Sequence, residues 1–179
     1  MRRRAHPRQG IMASSGIGTP PHMAGELFSM MAGISIVHVP YRSAMPALAD
    51  LLGARVDFMF ATMPAAIGYV RAGRQRAIAV TTAARSKALP DTPALAEILP
   101  GYEASSFFGI GAPFRTLADI ISELNSEVNA ALADSKIKVR FEATDSVLLG
   151  GTPGQFGELI ANETRKWGKV VKFAGLKPK

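Results

Sequence analysis

The run Ser14-Ser15-Gly16-Ile17-Gly18-Thr19-Pro20-Pro21-His22 joins small hydroxyl side chains and glycines to a pair of prolines. Proline is tolerated in the first turn of a helix, where its missing N–H has no intrahelical partner. The run therefore predicts a tight turn feeding a helix, with free backbone N–H groups and the positive end of the helix dipole converging on one point. That chemistry suits an anion, either a carboxylate or a phosphate. Ser14, Ser15, Gly16, Gly18 and Thr19 are the candidate ligand contacts: the hydroxyls donate, and glycine permits close backbone approach. The same residues also suit a plain turn with an N-cap, because Ser and Thr are favoured there for helix reasons alone.

Two more candidates stand where strands are expected to end. Tyr41 and Arg42 follow Pro40 and would offer an aromatic wall, a hydroxyl and a bidentate fork for a carboxylate. Surface packing accounts for such a pair equally simply. Phe60-Ala61-Thr62 closes the next strand, with the Thr62 hydroxyl available, and Thr81 and Thr82 end another. His22 and His38 have no second ligand at metal spacing, so neither a metal nor a cofactor is expected. There is no Ser–His–Asp ordering, no paired carboxylates in a glycine frame, no phosphate loop, and no third glycine after Gly16-Ile17-Gly18 to complete a dinucleotide fingerprint. The chain does not read as an enzyme.

Short apolar strands alternate with helical patterns through the first two-thirds of the chain. Strands are expected at 10–13, 34–39, 56–60 and 77–82, and helices at 19–32, 45–52 and 64–72, with Gly53 as a helix C-cap. This rhythm argues for a largely parallel α/β sheet. Residues 86–101 carry Pro90, Pro93 and Pro100 and should be mostly loop, with one helical turn at 95–98. An extended run at 105–112 precedes Pro113. Leu117, Ile120, Ile121, Leu124, Val128 and Leu132 then form a helical stripe. A short helix at 135–143, a brief strand at 146–149 and a last helix from Thr152-Pro153, with Trp167 as a core anchor, complete the reading.

The 179 residues carry a net charge of +7, 47% hydrophobic residues and no cysteine, which describes an ordinary globular chain without a disulfide or thiolate site. Arg2, Arg3, Arg4 and Arg8 supply four of the charges, leaving about +3 spread over the body. Such dispersion argues against a nucleic-acid partner and makes residues 1–10 a basic leader. No apolar run approaches the roughly 20 residues of a membrane span, and the basic start is followed by no signal-peptide core, so the chain as written is expected to stay in the cytoplasm.

The segments SSGIGTPPHMAGELF, IVHVPYRSAMPALADLLGARVDFMF, AGRQRAIAVTTAARSKALPDTPALAEILPGYEASSFFGIGAP and WGKVVKFAGLKPK resemble the Bug-type solute receptors. These are the periplasmic substrate-binding proteins of tripartite tricarboxylate transporters. The resemblance implies a type II periplasmic binding protein fold, in which two α/β lobes close over a carboxylate-bearing solute that passes to membrane permease subunits. It places lobe two at 11–106, a hinge return at 107–113 and the C-terminal helical part of lobe one at 114–179. On this pattern the chain is N-terminally truncated, with lobe two complete and most of lobe one absent.

The resemblance also assigns ligand contact to the glycine turn. Ser43 replaces a common family glycine, and Ala61 stands where many relatives carry aspartate, which predicts a less polar pocket. A half-present cleft implies weak binding, periplasmic location follows only by analogy, and the stripe at 117–132 is expected to lose the sheet it should cover. Two alternatives are an effector-sensing domain related to transcription regulators and a non-functional truncated gene product.

Overall fold

The computed structural model describes residues 10–143 and 146–177; the basic leader lies outside them apart from Gly10. The chain divides into two compact units. One holds the described residues up to Ser105 together with those from Lys169 onward, and the other holds Ser106–Gly168. The segment from Lys169, expected with the C-terminal helical part, groups with the first unit, where Val170 is fully buried.

The first unit is built on a three-stranded parallel sheet of β1 (Ile11–Ser14), β2 (Val37–Pro40) and β3 (Phe58–Met59), in the order β2-β1-β3. Helix α1 (Pro20–Ala32) joins β1 to β2, α2 (Ala44–Leu52) joins β2 to β3, and α3 (Met63–Arg71) follows β3. Side chains alternate across a strand, so neighbouring residues of β1 serve opposite faces. Met12 meets α1, where a Cβ built on Gly25 would lie 2.1 Å from its sulfur. Ala13 packs instead with Ala47 of α2 and with Val56. A central parallel strand covered on both faces accounts for the near absence of polar residues in Ile11–Ser14.

The expected strands are longer than those formed. Ile34 N–H donates to Ser29 O at the end of α1, which delays β2 until Val37. Asp57 turns its carboxylate onto Ile11 N–H at 2.8 Å, and β3 shrinks to two residues. The strand expected at 77–82 is a single parallel bridge from Val80 to Ala94, set in the proline-rich loop, and 146–149 forms no strand. Gly53 does cap α2, but the left-handed conformation falls one residue later on Ala54, at φ 53°. Ala54 N–H donates to Leu51 O and Arg55 N–H to Asp50 O, the two bonds of a Schellman ending.

The proline loop is held by a fork from Arg85 to Glu97, two bonds of 2.8 Å, while Ala94 N–H also donates to Glu97. Arg85 first, then that N–H, brings the Glu97 pKa down to about 2. Beyond the loop, Tyr102 is 1% exposed and donates its hydroxyl to Ala24 O of α1 at 2.9 Å. Burial pushes the Tyr102 pKa up.

The second unit contains α4 (Ala118–Ala133), α5 (Ser135–Glu142) and the larger part of α6 (Pro153–Phe173). Asp134 caps α5 by accepting from Lys136 and Ile137 N–H, and Asn125 and Asn129 tie α4 to Gly151. The expected stripe forms on α4, but neither α4 nor α5 has a buried residue: Leu117, Ile120 and Leu124 are all exposed. Trp167 is half-buried rather than a core anchor, and its ring N–H donates to Glu163. No helix among the described residues is long and apolar enough to cross a membrane.

Candidate functional site

The strand order fixes where a ligand can be met. In the order β2-β1-β3 the chain leaves β1 on one side and later returns to pair on the other. Open parallel sheets bind ligands outside the carboxyl ends of their strands at such a switch point. Here it lies between the loops that follow β1 and β3, which hold Ser15–Thr19 and Phe60–Thr62. The parallel register sets Ala13 against Met59, so the Ser15 loop and the Ala61 loop leave the sheet at the same level.

The β1–α1 turn needs both its glycines. Gly16 has φ 135° and Gly18 φ 77°, conformations that side-chain-bearing residues seldom adopt. A Cβ at Gly16 would also come within 3.4 Å of Tyr41 O. Thr19 occupies the N-cap position of α1 without capping it; its hydroxyl donates to Gly16 O at 2.7 Å and accepts from Ser15 at 3.2 Å.

The expected array of free N–H groups is mostly engaged within the turn itself. Gly16 N–H donates to Ser14 Oγ at 3.1 Å, Gly18 N–H to His22 Nδ1 at 3.0 Å, and Thr19 N–H to Gly16 O at 3.3 Å. Pro20 and Pro21 have none to offer. The amides of Ser15 and Ile17 remain, with no partner among the described residues, on a turn whose Ile17 and Gly18 are exposed. The turn is thus a preformed loop with two outlying donors, rather than a bare helix terminus.

Two histidines that sequence reasoning set aside form its floor. His38 pairs with Met12 across the β1–β2 ladder and shares a face with Ser14. Its ring stacks on His22 of α1, with centroids 4.0 Å apart and planes 17° apart. Because His22 Nδ1 accepts from Gly18, its proton sits on Nε2, which faces Glu26 Oε1 at 3.3 Å. The Ser14 hydroxyl is in hydrogen-bond contact with His38 Nε2 at 2.6 Å and with Gly16 O at 3.1 Å. Burial, and then the neighbouring His22, lower the His38 pKa to about 4, so the ring is neutral at pH 7. The Ser14–His38 contact joins residues 24 positions apart, brought together only by the parallel pairing of β1 and β2.

The remaining candidates take different places. Ser14 is fully buried beneath the turn. Tyr41 lies against the cluster of Ala13, Ala47 and Val56, and its hydroxyl donates to Asp50 Oδ2 at 2.7 Å. Asp50 also pairs with Arg55, and the Tyr41 hydrogen bond, then that of Arg55, hold its carboxyl below the usual range. The Tyr41 hydroxyl is therefore spent inside the fold. Arg42 is exposed and takes part in no hydrogen bond or ion pair among the described residues. Ala61 is half-buried, and Thr62 is exposed at the N-cap of α3 without a side-chain capping bond. Thr82 donates to Ala84 O, closing its own loop.

A surface hollow of about 440 Å³ lies elsewhere, lined by Arg76, Ala77, Ile78, Asp91, Thr92 and Pro93, and contains no residue of the turn. No cluster of three metal-ligating side chains occurs among the described residues.

A family model described as tripartite tricarboxylate transporter family receptor matches residues 2–176, a span that takes in most of the basic leader. Protein BugT of Bordetella pertussis is 34% identical over 177 residues, which are 98% of this chain and 54% of BugT. A UPF0065 protein from the clcB-clcD intergenic region of Pseudomonas knackmussii is 34% identical over 159 residues, covering 88% of this chain and 94% of its own. An R. palustris protein solved with adipate superposes with a TM-score of 0.85 at 36% identity, over 97% of this chain and 58% of that one. The periplasmic binding protein BugD gives a TM-score of 0.81 at 28% identity, over 94% and 57%. The chain thus has a periplasmic binding protein fold, and spans about half the length of most of the curated relatives it matches.

Proposed function

The chain belongs to the tripartite tricarboxylate transporter receptor family, Bug type, and from that premise we propose that its β1–α1 turn binds one carboxylate of a small solute. The observation that carries the reading is the turn itself. Two left-handed glycines hold it open at the sheet's switch point, and the Ser15 and Ile17 amides are left over for a ligand. Ser15, Gly16, Gly18 and Thr19 supply the contact surface, with Arg42, Ala61 and Thr62 at the neighbouring strand ends. Ser14 and Tyr41 support it from below. Ala61 adds no charge at its strand end, which favours a solute with an apolar spacer beside its carboxylate. Capture by this surface, followed by delivery to membrane permease subunits in the periplasm, is the physiological role that family membership supports.

The test is a titration of the chain with adipate and with shorter mono- and dicarboxylates, read at the backbone amides of residues 15–19. The expected result is saturable movement of the Ser15 and Ile17 amides. If no carboxylate moves them while the protein remains folded, the reading fails.

A further inference from the structure

The floor of the turn carries a hydrogen-bond logic that depends on charge. His22 contributes Nδ1 as an acceptor to Gly18 N–H, and His38 Nε2 meets the Ser14 hydroxyl at 2.6 Å. Ser14 in turn accepts from Gly16 N–H, so the two rings hold both glycines, one directly and one through a hydroxyl. A protonated imidazole has two donors and no acceptor. A proton on His22 Nδ1 would confront the Gly18 N–H, donor against donor. His38 Nε2 keeps its contact in either charge state, because Ser14 Oγ can accept from it while donating to Gly16 O at 3.1 Å.

The geometry points to a neutral-histidine latch: His22, with His38 stacked on it, is a positioning residue that holds the glycine turn only as an acceptor, and acid releases the turn and weakens its grip on a carboxylate. The latch rests on the carboxylate reading of the turn. The groups facing the pair are few. From α1 they are the rings' own partner Glu26, which pairs with His22, and from β1 the uncharged Ser14 hydroxyl. The stack places the rings 4.0 Å apart, so a charge on one opposes a charge on the other. Burial and this neighbour already keep His38 neutral down to about pH 4. Ser14 is fully buried, so the close Ser14–His38 pair has no access to a substrate and holds a loop rather than forming a nucleophile.

The test uses the full chain in two measurements. In the ligand-free protein, the Gly16 and Gly18 amide resonances are followed from pH 7 to about pH 4 beside the ring resonances of both histidines. The amides should move with the rings; amides that stay fixed while the rings titrate would overturn the latch. The second measurement compares adipate affinity at pH 7 and about pH 4.5 in the wild type and in the variant carrying His22→Asn and His38→Gln. The Asn Oδ1 stands in for Nδ1 and the Gln Oε1 for Nε2, so the acceptors remain without titrating.

The wild type should weaken by about tenfold more than the variant, the order of one lost hydrogen bond, while the variant's own decline reports the protonation of adipate across that range. A merely structural role for the histidines would leave the two pH profiles parallel, and that result overturns the proposal. Absence of adipate binding by the wild type at any pH overturns the carboxylate reading instead, and the amide titration then still decides whether the histidines latch the turn.

Discussion

Replacing Gly25 by alanine tests how α1 is seated on the sheet, and hence what holds the turn at its height. The added Cβ would stand 2.1 Å from Met12 Sδ, 2.5 Å from its Cε and 3.5 Å from a Phe60 ring carbon. Met12 is 1% exposed on the central strand, so its side chain cannot swing out to solvent. Overpacking of this kind costs about 1–3 kcal/mol. Alanine in a helix interior returns about 1 kcal/mol against glycine. The net expectation is a loss of about 1 kcal/mol, or roughly 2–4 °C in Tm for a chain of this size. Gly68, inside α3, supplies the reference, because a Cβ there meets nothing within 4 Å. Gly68→Ala should therefore gain about 1 kcal/mol. Urea denaturation of the two variants, compared at equal m-value, isolates the clash. Adding Met12→Val to Gly25→Ala should recover part of the loss, as a coupling between touching residues. If Gly25→Ala stabilises as much as Gly68→Ala, the close seating of α1 on β1 is wrong.

Three further outcomes are expected. Ala54→Gly should raise stability by about 0.5–1 kcal/mol, since glycine relieves the left-handed strain at φ 53° at some cost in chain entropy; denaturant midpoints will show it. Tyr41→Phe should lower the thermal midpoint by removing one of the two hydrogen bonds that the Asp50 carboxylate accepts from Tyr41 and Arg55, while leaving carboxylate affinity unchanged; lost affinity at unchanged stability would return the hydroxyl to the ligand. His38 is neutral in the fold down to about pH 4 and titrates in the unfolded chain near 6.5, so the unfolded state binds more protons between those values. Its contribution is complete above pH 6.5 and is lost as pH falls towards 4, about 1 kcal/mol after allowance for partial exposure of the ring, and denaturation midpoints measured across that range will show the slope.

The parts of the fold legible in the sequence were those written in local pattern. Pro20-Pro21 marked the start of α1, which forms as Pro20–Ala32 within the expected 19–32. Features that depend on partners distant in sequence were not legible. Nothing local distinguishes Asp57, which trims β3 by capturing the Ile11 amide, from any loop aspartate. Gly53 was legible as the C-cap of α2, but the left-handed position that follows it falls on Ala54, which local pattern did not mark. In the site, the glycine turn was visible from its own residues. The engagement of its N–H groups was not, because Ser14, His22 and His38 meet only once β1, α1 and β2 are in register. The stripe on α4 was correctly helical, but periodicity reports a face and not what covers it.

The hydroxyl of Tyr102, bonded to the carbonyl of Ala24 across 78 residues of chain, bears on the order in which the molecule assembles. The crossovers that set β1 beside β2 and β3 span short stretches of sequence and close with little loss of chain entropy. The Tyr102 bond and its edge contact with Phe28 must wait until the proline-rich segment has folded back. A polypeptide emerging from synthesis therefore has its glycine turn and histidine stack within reach well before α1 gains its second support. The turn proposed to meet the solute can thus form before the brace that steadies it.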